Sequence, residues 1–130
     1  MGQFDHEKLQ VWNVAADFVG RAQSMAREVP RGSGDFADQL RRAASSITLN
    51  IAEGAGEYAP REKARFYRLA KRSTMECAAL VDLYRRLELC EPAATDVARE
   101  DLLRVVSMLV RLIKATEGNG DRQQRGHRYR

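Results

Sequence analysis

The chain has 130 residues, of which 44% are hydrophobic, 31% are charged and only 3 are proline. That balance fits one helix-rich globular domain with its own core and excludes a disordered chain or a disulfide-dependent miniature. No apolar run approaches the roughly 18 residues of a membrane span, the polar stretch Met1 to Lys8 has no apolar leader region, and a net charge of +4 leaves room for nucleic acid or an acidic protein as partner.

A first helix is expected from about Phe4 to Val29. Leu9, Trp12, Ala16, Val19, Ala22 and Ala26 recur at steps of three or four, with Val11, Ala15 and Phe18 widening the stripe. Pro30 closes it, and Arg31-Gly32-Ser33-Gly34 forms a loop. The second helix runs from about Asp35 to Glu53, capped by Asp35 or Ser33, on the period of Phe36, Leu40, Ala43, Ala44, Ile47 and Ile51. Gly54-Ala55-Gly56 is expected to supply a positive-φ stop. The third helix opens at Pro60 and continues to about Leu89, with Phe66, Leu69, Ala70, Ser73, Cys77, Leu80, Tyr84 and Leu87 on its inner face. After Cys90-Glu91-Pro92, a fourth helix from Pro92 or Thr95 to Glu117 carries Leu102, Val105, Val106, Leu109, Leu112, Ile113 and Thr116. Gly118-Asn119-Gly120 is expected to end it, leaving residues 121–130 as a basic, disordered tail. Short loops force neighbouring helices to run antiparallel, so residues 1–120 read as an all-α, antiparallel up-down-up-down four-helix bundle. The absence of a leader and of a membrane span points to the cytoplasm.

The segment Arg41-Arg42-Ala43-Ala44-Ser45-Ser46-Ile47-Thr48-Leu49-Asn50-Ile51-Ala52-Glu53-Gly54 resembles a signature of the bacterial four-helix-bundle proteins encoded in intervening sequences of 23S ribosomal RNA genes. These are related to the accessory variability determinant proteins of diversity-generating retroelements. The resemblance extends to Phe4, Leu9, Val11 and Trp12 at the opening, to Pro30 after the first helix, and to Phe66, Leu69, Ala70, Ser73 and Glu76 in the third. Two positions depart from the pattern. Gly56-Glu57 stands where the family usually has Gly-Arg, removing a cation from a loop. Arg72-Ser73 stands where it usually has Gly-Ser, placing a bulky cation where close packing is expected. The resemblance implies a homopentameric bundle with a central channel and a basic surface. For the retroelement relatives it implies binding to nucleic acid and to a reverse transcriptase. It brings no catalytic residues.

The residues themselves point away from enzymatic chemistry. Cys77, Cys90, His6 and His127 form no short-spaced ligand pairs, and no inward Glu-x-x-His pair exists, so no metal or other cofactor is expected and the thiols read as buried and reduced. Gly54-Ala55-Gly56 lacks the strand, glycine spacing and Lys-Ser/Thr pair of a phosphate loop. Ser45 and Ser46 have no base placed to activate them. The strongest candidate is a stripe on the third helix. Arg61, Arg65, Arg68 and Arg72 recur at steps of four, three and four, with Lys63 and Lys71 beside them. Guanidinium groups fork onto phosphate oxygens without catalytic geometry. With Arg41, Arg42 and the tail residues Arg122, Arg125, Arg128 and Arg130, this stripe reads as a contact surface for an RNA or DNA backbone. The competing reading is a solvated face with ordinary ion pairs such as Arg72 with Glu76. In the tail, His127 and Tyr129 alternate with arginines in a pattern suited to stacking on single-stranded bases. Asn50 and Glu53 are expected to tie down the Gly54-Ala55-Gly56 turn or a neighbouring helix end, with a ligand or subunit contact as the alternative, and Trp12 to anchor the core or a subunit contact. The function expected is that of a non-enzymatic oligomeric accessory protein that binds nucleic acid. The alternative is a scaffold that docks an acidic protein such as a reverse transcriptase.

Overall fold

A computed structural model describes residues 2–128, with side chains through residue 120. A 3-10 turn over Asp5–Lys8 precedes four helices: α1 (Gln10–Arg27), α2 (Gly34–Gly56), α3 (Pro60–Arg86) and α4 (Pro92–Arg128). No strand occurs among the described residues. Each helix packs on its neighbours in sequence, α4 closes onto α1, and among the described residues the diagonal pairs stand farther apart. This is the expected all-α four-helix bundle. Its single core takes Phe18 and Met25 from α1, Leu40, Ile47 and Ile51 from α2, Cys77 and Tyr84 from α3, and Val105 and Leu109 from α4, all fully buried. The hydroxyl of Tyr84 spans two helices, donating to the Phe36 carbonyl at 2.9 Å. Buried threonines turn back onto their own helices: Thr74 Oγ1 donates to the Ala70 carbonyl at 2.8 Å and Thr95 Oγ1 to that of Pro92 at 2.7 Å. These bonds let hydroxyls enter an apolar core without leaving a donor unmet.

Several boundaries differ from the periodic reading. The first helix starts after Leu9, whose extended backbone (φ −93°, ψ 118°) separates it from the 3-10 turn. That turn is closed by its own bonds, from Phe4 N to Glu7 Oε1 at 3.2 Å and from Leu9 N to the His6 carbonyl at 3.0 Å. The centre of the α1 core face is also rotated. Val11, Val14, Ala15, Phe18, Ala22, Met25 and Ala26 are buried, whereas Leu9, Trp12 and Val19 pack on its flank. In α3 the same thing happens: Ala64, Tyr67, Thr74 and Val81 are buried, while Leu87 is exposed.

The helix ends show where local chemistry overrides composition. Helix α2 continues through Gly56, and neither Gly54 nor Gly56 has positive φ. Gly54 has a different use: a Cβ there would lie 2.6 Å from Cε1 and 2.8 Å from Cδ1 of Tyr67, and 3.1 Å from the Lys63 carbonyl oxygen. The glycine lets α3 approach α2. The left-handed residues lie elsewhere, at Gly32 (φ 95°) in the α1–α2 loop and at Glu88 (φ 53°) after α3. At Glu88 the chain makes a Schellman cap. The amide of Glu88 donates to the Arg85 carbonyl at 3.3 Å and that of Leu89 to the Tyr84 carbonyl at 2.9 Å. Both Leu89 and Tyr84 are buried, which supplies the apolar contact this motif favours. The stop expected at Gly118-Asn119-Gly120 does not occur, and the α4 backbone continues to Arg128. Glycine raises the cost of a helix by about 1 kcal/mol per residue, but it ends one only where a left-handed turn redirects the chain. The side chains of the basic tail, Arg122, Arg125, His127 and Arg128, lie outside the described residues, as do Tyr129 and Arg130 altogether.

Candidate nucleic-acid interface

The inner face of α3 is set by Ala64, Tyr67, Ala70, Thr74, Cys77 and Val81, all buried. At 100° per residue, Arg61, Arg65, Arg68 and Arg72 fall within a narrow sector opposite that face, and all four are exposed. The structure therefore turns the whole arginine stripe to solvent. Arg72 fits this face without disturbing the packing expected around it. Its neighbour Ser73 is the residue that faces the core, with its Oγ 2.8 Å from Ser46 Oγ of α2.

The stripe is only partly compensated. Arg65 Nε donates to Glu62 Oε2 at 3.1 Å, and its guanidinium carbon stands 4.6 Å from the centre of the Phe66 ring. Arg68 bonds to Glu117 of α4, N to O at 2.5 Å. Both pairs are half-exposed and worth little in water. Among the described residues no carboxylate lies within 4.0 Å of Arg61 or Arg72, so the Arg72–Glu76 pair is not formed. Lys71 is half-buried beside the stripe.

Two of the other cations stand apart from this surface. Lys63 turns its ammonium to the end of α2, donating to the carbonyls of Ala55 at 2.9 Å and Gly54 at 3.3 Å. It neutralises the negative end of that helix dipole and satisfies carbonyls that have no partner within α2. Arg41 faces α1, donating to Gln23 Oε1 at 2.7 Å and lying 3.5 Å from Asp38. It sits beside Tyr84, about three turns of α3 beyond Arg72. Arg42 is exposed, and the Ser46–Ser73 contact sets it about one turn past Arg72.

Of the α2 motif residues, Asn50 is engaged within the bundle. Asn50 Nδ2 donates to the carbonyl and Oγ of Ser46 at 2.9 and 3.0 Å, extending the Ser46–Ser73 pair into a small polar bridge between α2 and α3. Glu53 is exposed. The α2 terminus that Asn50 and Glu53 were expected to hold is held by Lys63 instead. Trp12 is half-buried, with the His6 ring 4.6 Å away. Both cysteines are free, Cys77 buried and Cys90 half-buried. Burial, with Glu76 nearby, pushes the Cys77 thiol up to about 12. Among the described residues no group of three His, Cys, Asp or Glu side chains is placed to hold a metal, and no helix is long and apolar enough to cross a membrane.

Three features of this surface escaped the periodic reading. The Lys63 cap was hidden because a lysine beside arginines looks like one more surface cation. Glu117 lies forty-nine residues from Arg68 in the chain, beyond any local pattern. Tyr58 is 97% exposed in the α2–α3 turn, outside both helical periods.

No curated protein matches the chain. Its fold is similar to that of a crystallised protein of unknown function from the S23 ribosomal protein family of Bacteroides thetaiotaomicron. The TM-score is 0.74 at 18% identity, with 80% of this chain and 98% of that one covered. The family model described as 23S rRNA-intervening sequence protein matches residues 7–111. These residues include the α2 signature, the Ser46–Ser73–Asn50 bridge and the α3 stripe, and the chain accordingly belongs to the 23S rRNA-intervening sequence protein family.

Proposed function

We propose that this protein is a non-enzymatic, oligomeric accessory protein that binds the backbone of RNA or DNA through the outward face of α3. One observation carries the reading: Arg61, Arg65, Arg68 and Arg72 stand exposed in one line, and the two outer members have no carboxylate partner among the described residues. Such a line matches the spacing-tolerant, charge-driven contact that phosphates require and encodes no base sequence. Arg42 extends the surface by a turn. Lys63 and Arg41 serve the fold and contribute only to its field.

The oligomeric part of the proposal is supported by the second half of the same face. Past Arg72 apolar side chains join charged ones such as Glu76, Asp82 and Arg86 on the outward side. Met75, Leu83 and Leu87 are exposed, and Met75, with Ala79 of α3 and Leu103 and Val106 of α4, borders a groove of about 460 Å³ between α3 and α4. An apolar surface of this kind suits a protein contact. Family resemblance makes a second copy of this chain the first candidate, in a homopentamer. An acidic protein such as a reverse transcriptase is the alternative occupant.

The test is fluorescence anisotropy with a short structured RNA and a matched single-stranded DNA at several salt concentrations. Binding whose log affinity falls with log salt by the equivalent of about three or more phosphates is expected. Replacing all four arginines with alanine is expected to reduce that slope and abolish binding. A folded quadruple variant that binds as the wild type does would assign the contact to another surface.

A further inference from the structure

The turn from α2 to α3 carries a large aromatic ring that the fold leaves bare. Tyr58 is 97% exposed, two residues before Pro60 opens α3 and three before Arg61. The extended backbone of Ala59 (φ −77°, ψ 131°) and the fixed φ of Pro60 hold this short turn. Beside it, the 3-10 turn Asp5–Lys8 packs against the end of α2. Together they enclose an open hollow of about 460 Å³ lined by Asp5, Lys8, Glu57, Tyr58, Lys63 and Tyr67.

The charges around this hollow cancel. Two carboxylates, Asp5 and Glu57, stand with two ammonium groups, Lys8 and Lys63. Lys8 lies 4.0 Å from Asp5, and Lys63 is engaged by the α2 carbonyls. A phosphate gains nothing by entering such a site, whereas a neutral planar group meets both donors and acceptors there. The excess positive charge begins at Arg61, one helical turn away. The end of the bundle thus sets an exposed aromatic face and an electroneutral polar hollow at the head of a cationic line.

We infer that Tyr58 is a stacking platform for an unpaired base of the nucleic acid whose backbone follows the α3 arginines, and that the hollow receives the edge of that base. The inference rests on the function proposed above and narrows its ligand to nucleic acid with single-stranded or extruded bases. A paired base lies inside its own stack and presents no face to a tyrosine. An unpaired one does, and stacking of this kind tolerates any sequence. Burial, reinforced by Asp5, pushes the Tyr67 phenol above its usual range, so the hollow offers a neutral hydroxyl at physiological pH.

The experiment compares wild type, Tyr58→Ala and Tyr58→Phe for binding to a short unstructured RNA and to a blunt RNA duplex of equal length. The single strand carries a purine analogue whose emission is quenched on stacking. Tyr58→Ala is expected to weaken single-strand binding by roughly 5- to 150-fold, the range that base–aromatic stacking supplies, and to abolish the quench. Its salt slope and its duplex affinity should match the wild type, and Tyr58→Phe should retain both affinity and quench. Wild-type binding with a normal salt slope that Tyr58→Ala leaves unchanged overturns the stacking role alone. A wild type that binds neither probe at low salt overturns the nucleic-acid reading and this inference together. The side chain is almost wholly in solvent, so the alanine variant keeps the fold.

Discussion

Gly54 shows how much one hydrogen atom decides. As a helical residue it would gain about 1 kcal/mol on replacement by alanine. The tertiary contact opposes that gain, because the new Cβ would sit 2.6 Å from a Tyr67 ring carbon and 3.1 Å from the Lys63 carbonyl oxygen. Tyr67 is 3% exposed, so its ring can yield only by giving up packing between α2 and α3. Gly54→Ala is therefore expected to destabilise the protein by about 1–3 kcal/mol net, the usual cost of overpacking. The readout is a lower urea midpoint at an unchanged slope, and trimming the ring with Tyr67→Leu should recover part of the loss. A variant as stable as the wild type would show that α2 and α3 can part at no cost. Cys77 gives a second prediction at this scale. Its thiol is raised from 9.0 to about 12 by burial. Above pH 9 the unfolded chain releases this proton while the folded one keeps it, so the unfolded state is favoured as pH rises. Stability should be insensitive to Cys77 below pH 9 and fall between pH 9 and 12, and Cys77→Ala should flatten that decline in urea titrations.

Helix α3 divides along its length. Its first half faces outward with arginines, and its second half exposes Met75 and Leu83 among the charged residues Glu76, Asp82, Arg85 and Arg86. The core face is continuous beneath both, so the division belongs to the surface alone. The Lys63 ammonium, although it lies within the basic half in sequence, belongs to the end of α2. Lys63→Met keeps the apolar stem and removes the cap. It is expected to cost about 1 kcal/mol in thermal or urea unfolding, while nucleic-acid affinity falls far less than on replacing Arg61 or Arg72. A large loss of affinity with no loss of stability would reverse that assignment. The number of helices and most inner residues of α2 and α4 were legible, because an apolar residue every three or four positions marks one buried face. In α1 and α3 the broad apolar stripes left the centre of that face undecided. The helix ends were less legible. Gly54-Ala55-Gly56 and Gly118-Asn119-Gly120 look like stops, yet the bends of the chain occur at Gly32 and Glu88. At Glu88 a Schellman cap backed by Leu89 and Tyr84 holds a side-chain residue in the left-handed region. No composition rule would have chosen a glutamate there.

The bundle closes least tightly between α1 and α4. A groove of about 780 Å³ runs along that seam past Ala16, Gly20 and Ala94, with Arg21 and Asp101 paired across it at 2.6 Å. The α3–α4 groove is the more apolar of the two surfaces, and Leu103 is 56% exposed beside it. Assembly of copies of the 14.7 kDa chain is expected to use this face. Sedimentation equilibrium should give a mass that is a multiple of the monomer, five by family resemblance. The double variant Met75→Glu, Leu103→Glu should shift it to the monomer while the helical circular dichroism is retained. A monomeric wild type, or a variant that still assembles, would place the contact elsewhere.

By itself the sequence determined the class of architecture and the direction in which the arginine stripe points. Both follow from a helical repeat that is read from one residue to the next. Local periodicity also placed Ser73 inward and Arg72 outward. Only the tertiary structure decided which cations are free. It brought Glu117 to Arg68, sent Lys63 to the end of α2, turned Arg41 toward α1, and left Tyr58 in solvent over a hollow built from the N-terminal turn. These are contacts between segments distant in the chain, and a charge in a one-dimensional pattern carries no information about the partner that folding will set beside it.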